Sequence, residues 1–455
     1  MTEATAPAPR GATISEGTPT PVPLVSPAYR RYALVVLLLV YTVNFLDRQV
    51  ITILAEPIKN DLGIKDWQIG LMTGFAFAIF YTVLGLPIAR LAESKNRVWI
   101  IAGSLTVWSA FTIACGRAGN FTQLVLARIG VGVGEAGCTP TSHSLIADLV
   151  PKEKRASALA FFSIGTPLGG LLGLTMGGVM ADLYGWRTAF MLAGLPGLVL
   201  TVIVLATLRE PRKQVVVQAA EHTPGKGHFA LTLKYLSKKR TFWLIALAAA
   251  TQAFIGYGNA PFTASFFFRN HTSEIAALAA HFGLKSAGFM GLALGLMGGT
   301  AGIISSWVGG WLADLAAKRD LRAYMSVPAI AAVISPLVAM TALMNPSAVG
   351  ALATLLVPAL LGSLWYGPVY ASGQGLVPPH MRATAASILL FVINLIGLGG
   401  GPLAVGALSD FFAGPMGLGK AIGVRNALMC SYACAFLAAG LFWAARKSIR
   451  EEMVS

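Results

Sequence analysis

The sequence predicts an all-α integral membrane fold of twelve transmembrane helices in two pseudo-symmetric six-helix bundles. Three observations carry that expectation: charge too sparse for a soluble globule, apolar runs of spanning length from end to end, and a repeat relating the two halves. Of 455 residues, 55% are apolar and only 12% charged, against about 25% charged in soluble domains. The mean hydropathy of +0.68 leaves too little polar surface to cover a soluble chain of this size.

The apolar cores fall at 33–56, 69–92, 98–117, 121–147, 156–181, 188–208, 242–268, 286–313, 323–344, 348–375, 382–409 and 422–445, each long enough to cross a bilayer. One long polar stretch interrupts them. It ends with Phe229, Leu233 and Leu236 at helical spacing beside Lys234, Lys238, Lys239 and Arg240, the pattern of an amphipathic segment lying on a membrane surface. The predicted organisation is a disordered cytoplasmic tail over 1–29, a first bundle over 30–208, a linker over 209–241, and a second bundle with a short tail over 242–455. The tail carries six prolines and no early apolar run, so it is not a cleavable signal, and the first helix must insert on its own.

Charge sets the expected orientation. With both termini inside, inside segments collect 24 Lys and Arg and outside loops collect 8, while Arg48 and Arg128 lie within the bilayer. A three-to-one excess places termini and linker in the cytoplasm. The net charge of +15 therefore faces anionic lipid, and no nucleic-acid partner is expected. The bacterial inner (plasma) membrane is the expected location. The cysteines Cys115, Cys138, Cys430 and Cys434 sit within or at the ends of apolar runs without partners at zinc-ligand spacing, so they read as small apolar fillers. No cofactor or metal is predicted.

The halves repeat. Leu149-Val150-Pro151-x-x-x-Arg155 returns as Leu376-Val377-Pro378-x-x-x-Arg382, an offset of 227. Gly178-x-x-x-Asp182 returns as Gly406-x-x-x-Asp410 at 228, and Leu91-Ala92-Glu93 as Leu312-Ala313-Asp314 at 221. Paired six-helix repeats with a site between them mark several secondary transporter folds.

The residues then carry a specific resemblance. Ala89-Arg90-Leu91-Ala92-Glu93-Ser94-Lys95-Asn96-Arg97, and more closely Gly310-Trp311-Leu312-Ala313-Asp314, resemble the loop after helix 2 of the major facilitator superfamily. Asn44-Phe45-Leu46-Asp47-Arg48-Gln49 through Glu56-Pro57-Ile58, and Arg128-x-Gly130-x-Gly132-x-Gly134-Glu135, resemble the spinster family of lipid transporters within it. The resemblance covers nearly the whole chain after residue 30. It implies the major facilitator fold, a monomer, and helices 1 and 4 bordering a central cavity.

Four ionisable residues stand deep in helix interiors, away from the span ends: Asp47 and Arg48 on helix 1, Arg128 and Glu135 on helix 4. Charge in hydrocarbon is costly and defaults to a functional reading. A static ion-pair cluster is the alternative, but such clusters stabilise weakly because desolvation offsets attraction. The functional reading makes Asp47 and Glu135 proton-responsive and lets Arg48 and Arg128 attract an anionic group. Polar and aromatic candidates for the cavity are Asn44, Tyr257, Asn259, Trp365, Tyr366, Tyr370 and Asn394, with Gln252 and Gln374 beside them. Glu93, Arg97, Asp314 and Arg319 are expected to frame a cytoplasmic gate. Gly165, Gly169, Gly173 and Gly177, at four-residue spacing, predict a close helix contact.

Two nucleotide-binding patterns are excluded by context. Gly132-x-Gly134-x-x-Gly137 lies inside a spanning run with no preceding strand, and Gly414-x-x-x-x-Gly419-Lys420 continues into Ala421 where Ser or Thr is needed. The lone His143 reads as packing. The expected function is alternating-access, proton-coupled transport of an amphipathic anionic or zwitterionic lipid such as a lysophospholipid or sphingoid phosphate. Its partners are protons, membrane lipid and that substrate. The alternative is symport of a small organic anion of sugar-acid type. A lipid-acting membrane enzyme is less consistent, because no nucleophile–His pair or metal cluster appears in the sequence.

Overall fold

A computed structural model of the chain describes residues 26–151, 154–211 and 228–454. The first bundle contains α1 (Pro27–Leu62), α2 (Asp66–Gly70) running through a π turn into α3 (Ala76–Ser94), α4 (Arg97–Gly116), α5 (Phe121–Glu135), α6 (Cys138–Leu149), α7 (Arg155–Ser163) and α8 (Gly165–Thr207). After the short α9 (His228–Ser237), the second bundle contains α10 (Arg240–Asn270), α11 (Thr272–His281), α12 (Ser286–Ala317), α13 (Ala323–Leu343), α14 (Ala348–Leu361) and α15 (Tyr366–Gly375). It closes with α16 (Arg382–Ile393), a π turn over Asn394–Gly400, α17 (Gly401–Ala413) and α18 (Gly419–Glu452).

Ten helical stretches among the described residues are long and apolar enough to cross a membrane. The count reaches twelve for two physical reasons. Ser157–Thr207 runs 51 residues, about 75 Å at 1.5 Å per residue, which is twice a bilayer core of about 30 Å. It is two spans folded at Gly185, whose φ of 83° suits a residue without a Cβ. The fourth span is split into α5 and α6 at Ala136 and Gly137, so neither piece alone reaches spanning length.

Local signals set the ends. Ser26 accepts the Tyr29 amide before Pro27 opens α1, so residues 27–29, expected in the tail, are helical. Asn96 caps α4 and Asn120 caps α5. The tail over 1–25 and linker residues 212–227 lie outside the described residues. Linker residues 228–237 form α9, whose Leu236 is buried and packs with the second bundle, while Leu231 and Leu233 stay exposed, and α10 already begins at Arg240.

The glycine ladder of α8 packs on α1: a Cβ on Gly173 would lie 2.6 Å from the Leu46 carbonyl oxygen. Between bundles, α12 and α8 diverge along their length. A Cβ on Gly291 would strike the Leu174 carbonyl, on Gly295 it would lie 3.1 Å from Leu171, on Gly299 3.5 Å from Pro167, and on Gly302 it meets nothing within 4 Å. The bundles therefore touch at the face opposite the start of α1 at Pro27 and the end of α18 at Glu452, and splay toward the face that carries those helix ends. These are called the opposite face and the terminal face below.

Candidate functional site

The charged residues predicted from rarity gather between α1, α4 and α5. Glu135, the last residue of α5, is fully buried, and its Oε2 accepts from Arg48 Nε at 2.5 Å. The Arg48 guanidinium lies among three rings, 5.1 Å from the Phe45 centroid, 4.9 Å from Phe77 and 4.4 Å from Tyr81. Each ring face attracts the cation and keeps water from it. Asp47 points away from Arg48, as neighbours on a helix must, and accepts from Thr112 Oγ1 on α4 at 3.2 Å. Its second oxygen makes no hydrogen bond.

Arg128 is 1% exposed and sits 5.4 Å from the same Phe77 ring. Its Nε and Nη1 are buried without hydrogen-bond partners, and no ion pair joins it to Asp47 or Glu135. A buried cation without a partner is costly. The cation that pairs with Glu135 in this arrangement is Arg48. In this arrangement it is loss of Arg48, rather than of Arg128, that would strand the Glu135 carboxylate.

Arg48, Arg128 and Tyr257 line a small cavity of about 50 Å³ between the bundles, with Phe45, Phe77 and Leu398. Tyr366 stacks on Trp365 with centroids 4.0 Å apart and on Tyr370 at 6.2 Å. Trp365 itself is buried in the core of the second bundle. Asn259 is buried on α10 near Tyr432, and Asn394 opens the π turn before α17. Asn44 is fully buried one turn before Arg48, with neither amide atom hydrogen-bonded. His143 stands edge-on to Phe162 at 5.4 Å, a packing contact. Sequence reasoning missed the ring cage of Phe45, Phe77 and Tyr81, which charge rarity has no means to reveal.

It also missed the ionic cluster that joins the bundles at the opposite face. Arg269 of α10 forms ion pairs with Glu56 of α1 at 2.6 Å and Asp66 of α2 at 2.7 Å, and Lys59 reaches Asp66 at 2.5 Å. Asp410 of α17 accepts from the Asp66 and Trp67 amides at 3.1 and 2.8 Å. Asp182 of α8 accepts from the Gly288 amide of α12 at 2.6 Å. Carboxylates suit helix N-termini, where free amides and the dipole are positive.

The gate residues are distributed differently. Arg97 is fully buried inside the first bundle, paired with Glu210 and, at 2.7 Å, with Asp148. Asp314 accepts from Tyr324 within the second bundle. Glu93 is exposed, and Arg319 lies just past the end of α12.

A family model for the Major Facilitator Superfamily matches residues 37–402. The chain belongs to the major facilitator superfamily. It is 31% identical to an MFS-type efflux pump of Mycolicibacterium smegmatis over 92% of this chain and 93% of that protein. It is 25% identical to the sphingosine-1-phosphate transporter SPNS2 of Danio rerio, over 81% and 73%. It is 28% identical to the probable galactarate/D-glucarate transporter GudP of Bacillus subtilis, over 67% and 70%. Among solved structures, a bacterial homolog of the human lysosomal transporter Spinster, inward-facing and unoccupied, matches with a TM-score of 0.84 and 30% identity. That match covers 95% of this chain and all of the other. This superfamily member is a transporter and not an enzyme.

Proposed function

We propose that the protein moves an amphipathic anionic or zwitterionic lipid, such as a lysophospholipid or sphingoid phosphate, by proton-coupled alternating access. The observation that carries this reading is Arg128: a buried guanidinium without an ion-pair partner, on the wall of an aromatic and apolar cavity, beside the closed Arg48–Glu135 pair. A free cation in such surroundings suits a headgroup anion attached to a chain. A carboxylate held by one arginine in a water-poor site responds to its partner's movement by exchanging a proton. In this reading Glu135 and Asp47 take the protons, and protonation of Glu135 releases Arg48 toward the substrate.

The terminal face is taken as cytoplasmic, from the 24-to-8 charge count, in a bacterial inner membrane and as a monomer. The splayed terminal face then corresponds to an inward-open state. Residues 30–208 and 242–455 rock as units, and Glu93, Arg97, Asp314 and Arg319 frame the gate. The name of the zebrafish relative supports a lipid. The name of the Bacillus relative supports the second reading, a sugar-acid type anion on the same arginines.

Proton-gradient-driven uptake into liposomes, with equilibrium binding alongside, tests the mechanism. Glu135→Gln is expected to bind normally and to lose its pH response; unchanged pH-driven uptake would remove Glu135 from coupling. Arg48→Ala is expected to cost about 3–5 kcal/mol of stability by stranding a buried carboxylate. Competition by lysophospholipid against glucarate separates the two substrate readings.

A further inference from the structure

A groove of about 360 Å³ runs between α13 and α18 on the outside of the second bundle, lined by Ala329, Ile330, Val333, Phe436, Gly440 and Trp443. Its walls are apolar side chains turned outward: Ile330 is 54% exposed and Trp443 48%. Soluble surfaces rarely carry such a patch, and in a membrane it meets acyl chains. The groove is not featureless, because each of its helices brings an arginine toward the terminal face, Arg322 just before α13 and Arg446 near the end of α18.

On α18 the stripe continues at helical spacing from Phe436 through Gly440 and Trp443 to Arg446. On α13 it runs back from Val333 and Ala329 through Ser326 to Arg322. Arg446 lies over the Trp443 ring, 4.6 Å from its centroid. The Nε atoms of Arg322 and Arg446 are both buried and without hydrogen-bond partners. Asp320, two residues before Arg322, is engaged by Arg450 at 2.9 Å and by the Arg322 amide at 2.8 Å. Lys447 adds a further exposed cation. Two guanidiniums whose Nε atoms lack a partner thus stand at the headgroup end of an apolar trough, with an interfacial tryptophan between charge and chain.

We propose that this groove binds an anionic diacyl phospholipid of the leaflet at the terminal face, with an acyl chain along Ile330, Gly440 and Phe436 and the phosphate on Arg322 and Arg446. Arginine matches phosphate oxygens in a two-pronged geometry. The neighbouring cations exclude a purely apolar occupant as the best fit. The site is remote from the cavity holding Arg128 and does not depend on which substrate the transporter moves.

The test is native mass spectrometry of the purified full chain, titrated with phosphatidylglycerol or phosphatidylcholine. One phosphatidylglycerol should be retained in preference to phosphatidylcholine, and millimolar inorganic phosphate should not displace it. The Arg322→Gln/Arg446→Gln double variant should weaken retention about tenfold or more, since each surface cation contributes measurably to anionic-lipid binding. Gly440→Leu should do the same while leaving every charge in place, because a Cβ there meets nothing within 4 Å and the added side chain fills the trough without strain. Arg117→Gln, at the opposite face, serves as the bulk-charge control and should change nothing. Equal retention of phosphatidylcholine would overturn the proposal. So would displacement by phosphate, or a dimer masking the groove. If the double variant fails to fold, Gly440→Leu decides alone, and undiminished retention in it rejects the site.

Discussion

The opposite face is held by two seams that the internal repeat makes equivalent, α8 against α12 and α17 against α2. Their backbones agree closely. Asp182 caps α12 as Asp410 caps α2. A Cβ on Gly178 would strike the Ala287 carbonyl as one on Gly406 would strike that of Asp66, and Gly291 meets Leu174 as Gly70 meets Pro402. Their charges differ. The α17–α2 seam alone borders the buried Arg269–Glu56–Asp66–Lys59 cluster, and it alone carries π turns, at Leu71–Phe75 and Asn394–Gly400. The other seam has the exposed Lys285 on the Asp182 carbonyl. Inserted π turns often accompany functional positions. The repeat thus keeps close helix approach on both seams, while the ionic lock is built on one side.

The largest expected effect breaks that asymmetry. Arg269→Ala leaves Glu56 without its cation and Asp66 with Lys59 alone, and truncating one partner of a buried ionic cluster costs about 3–5 kcal/mol. Spin labels across the opposite face should report a longer inter-bundle distance, and thermal unfolding should fall. Lys285→Ala, its counterpart on the other seam, should cost less than about 1 kcal/mol, as exposed pairs do. Equal losses in the two variants would show that the seams are energetically equivalent after all.

Bulk added at the shared glycines should instead affect both seams alike. Gly70→Val and Gly291→Val each drive a side chain into a backbone carbonyl that cannot rotate away. Over-packing costs about 1–3 kcal/mol, and here it should wedge the opposite face open to a similar extent in both variants. Distance measurements on each seam check the equality.

What the sequence made legible follows from which signals are local. Apolar run length located every span, and the offset of 228 between Gly178-x-x-x-Asp182 and Gly406-x-x-x-Asp410 pointed at the two caps without revealing what they cap. The rarity of charge in hydrocarbon found Asp47, Arg48, Arg128 and Glu135. The same logic passed over Glu56, Lys59, Asp66 and Arg269, because they lie near span ends, where charge is ordinary. Their meaning appears only when α1, α2 and α10 meet, with Arg269 and Asp66 203 positions apart. Arg97 reads as a loop cation, yet it is buried because Glu210, 113 positions away, folds back onto it.

Removing the caps should give a smaller effect. Asp182→Ala and Asp410→Ala each lose a carboxylate at a helix N-terminus, and losing such a cap costs about 0.5–2 kcal/mol. Asp410 satisfies two amides of α2 where Asp182 takes the Gly288 amide, so the Asp410 variant should be the more destabilised. The reverse order in thermal unfolding would place the stronger cap on the seam without the ionic cluster.

The smallest effect belongs to the terminal face, where Asp320 pairs with Arg450 inside one bundle. The Arg322 backbone amide, and then Arg450, hold the Asp320 carboxyl below its ordinary value of 3.8. A depressed carboxylate contributes stability that is fully present above its unfolded value and is lost only as pH falls through the folded one. Between pH 8 and pH 5 the pair therefore stays ionised, and it has no means to respond to a physiological proton gradient. Asp320→Asn should leave the pH dependence of transport over that window unchanged, and the two inter-bundle distances with it. A shifted pH profile would move proton sensing from the buried acids Asp47 and Glu135 to the exposed end of the second bundle. An unchanged profile, set beside a flattened one in Glu135→Gln, would confine it to the membrane interior.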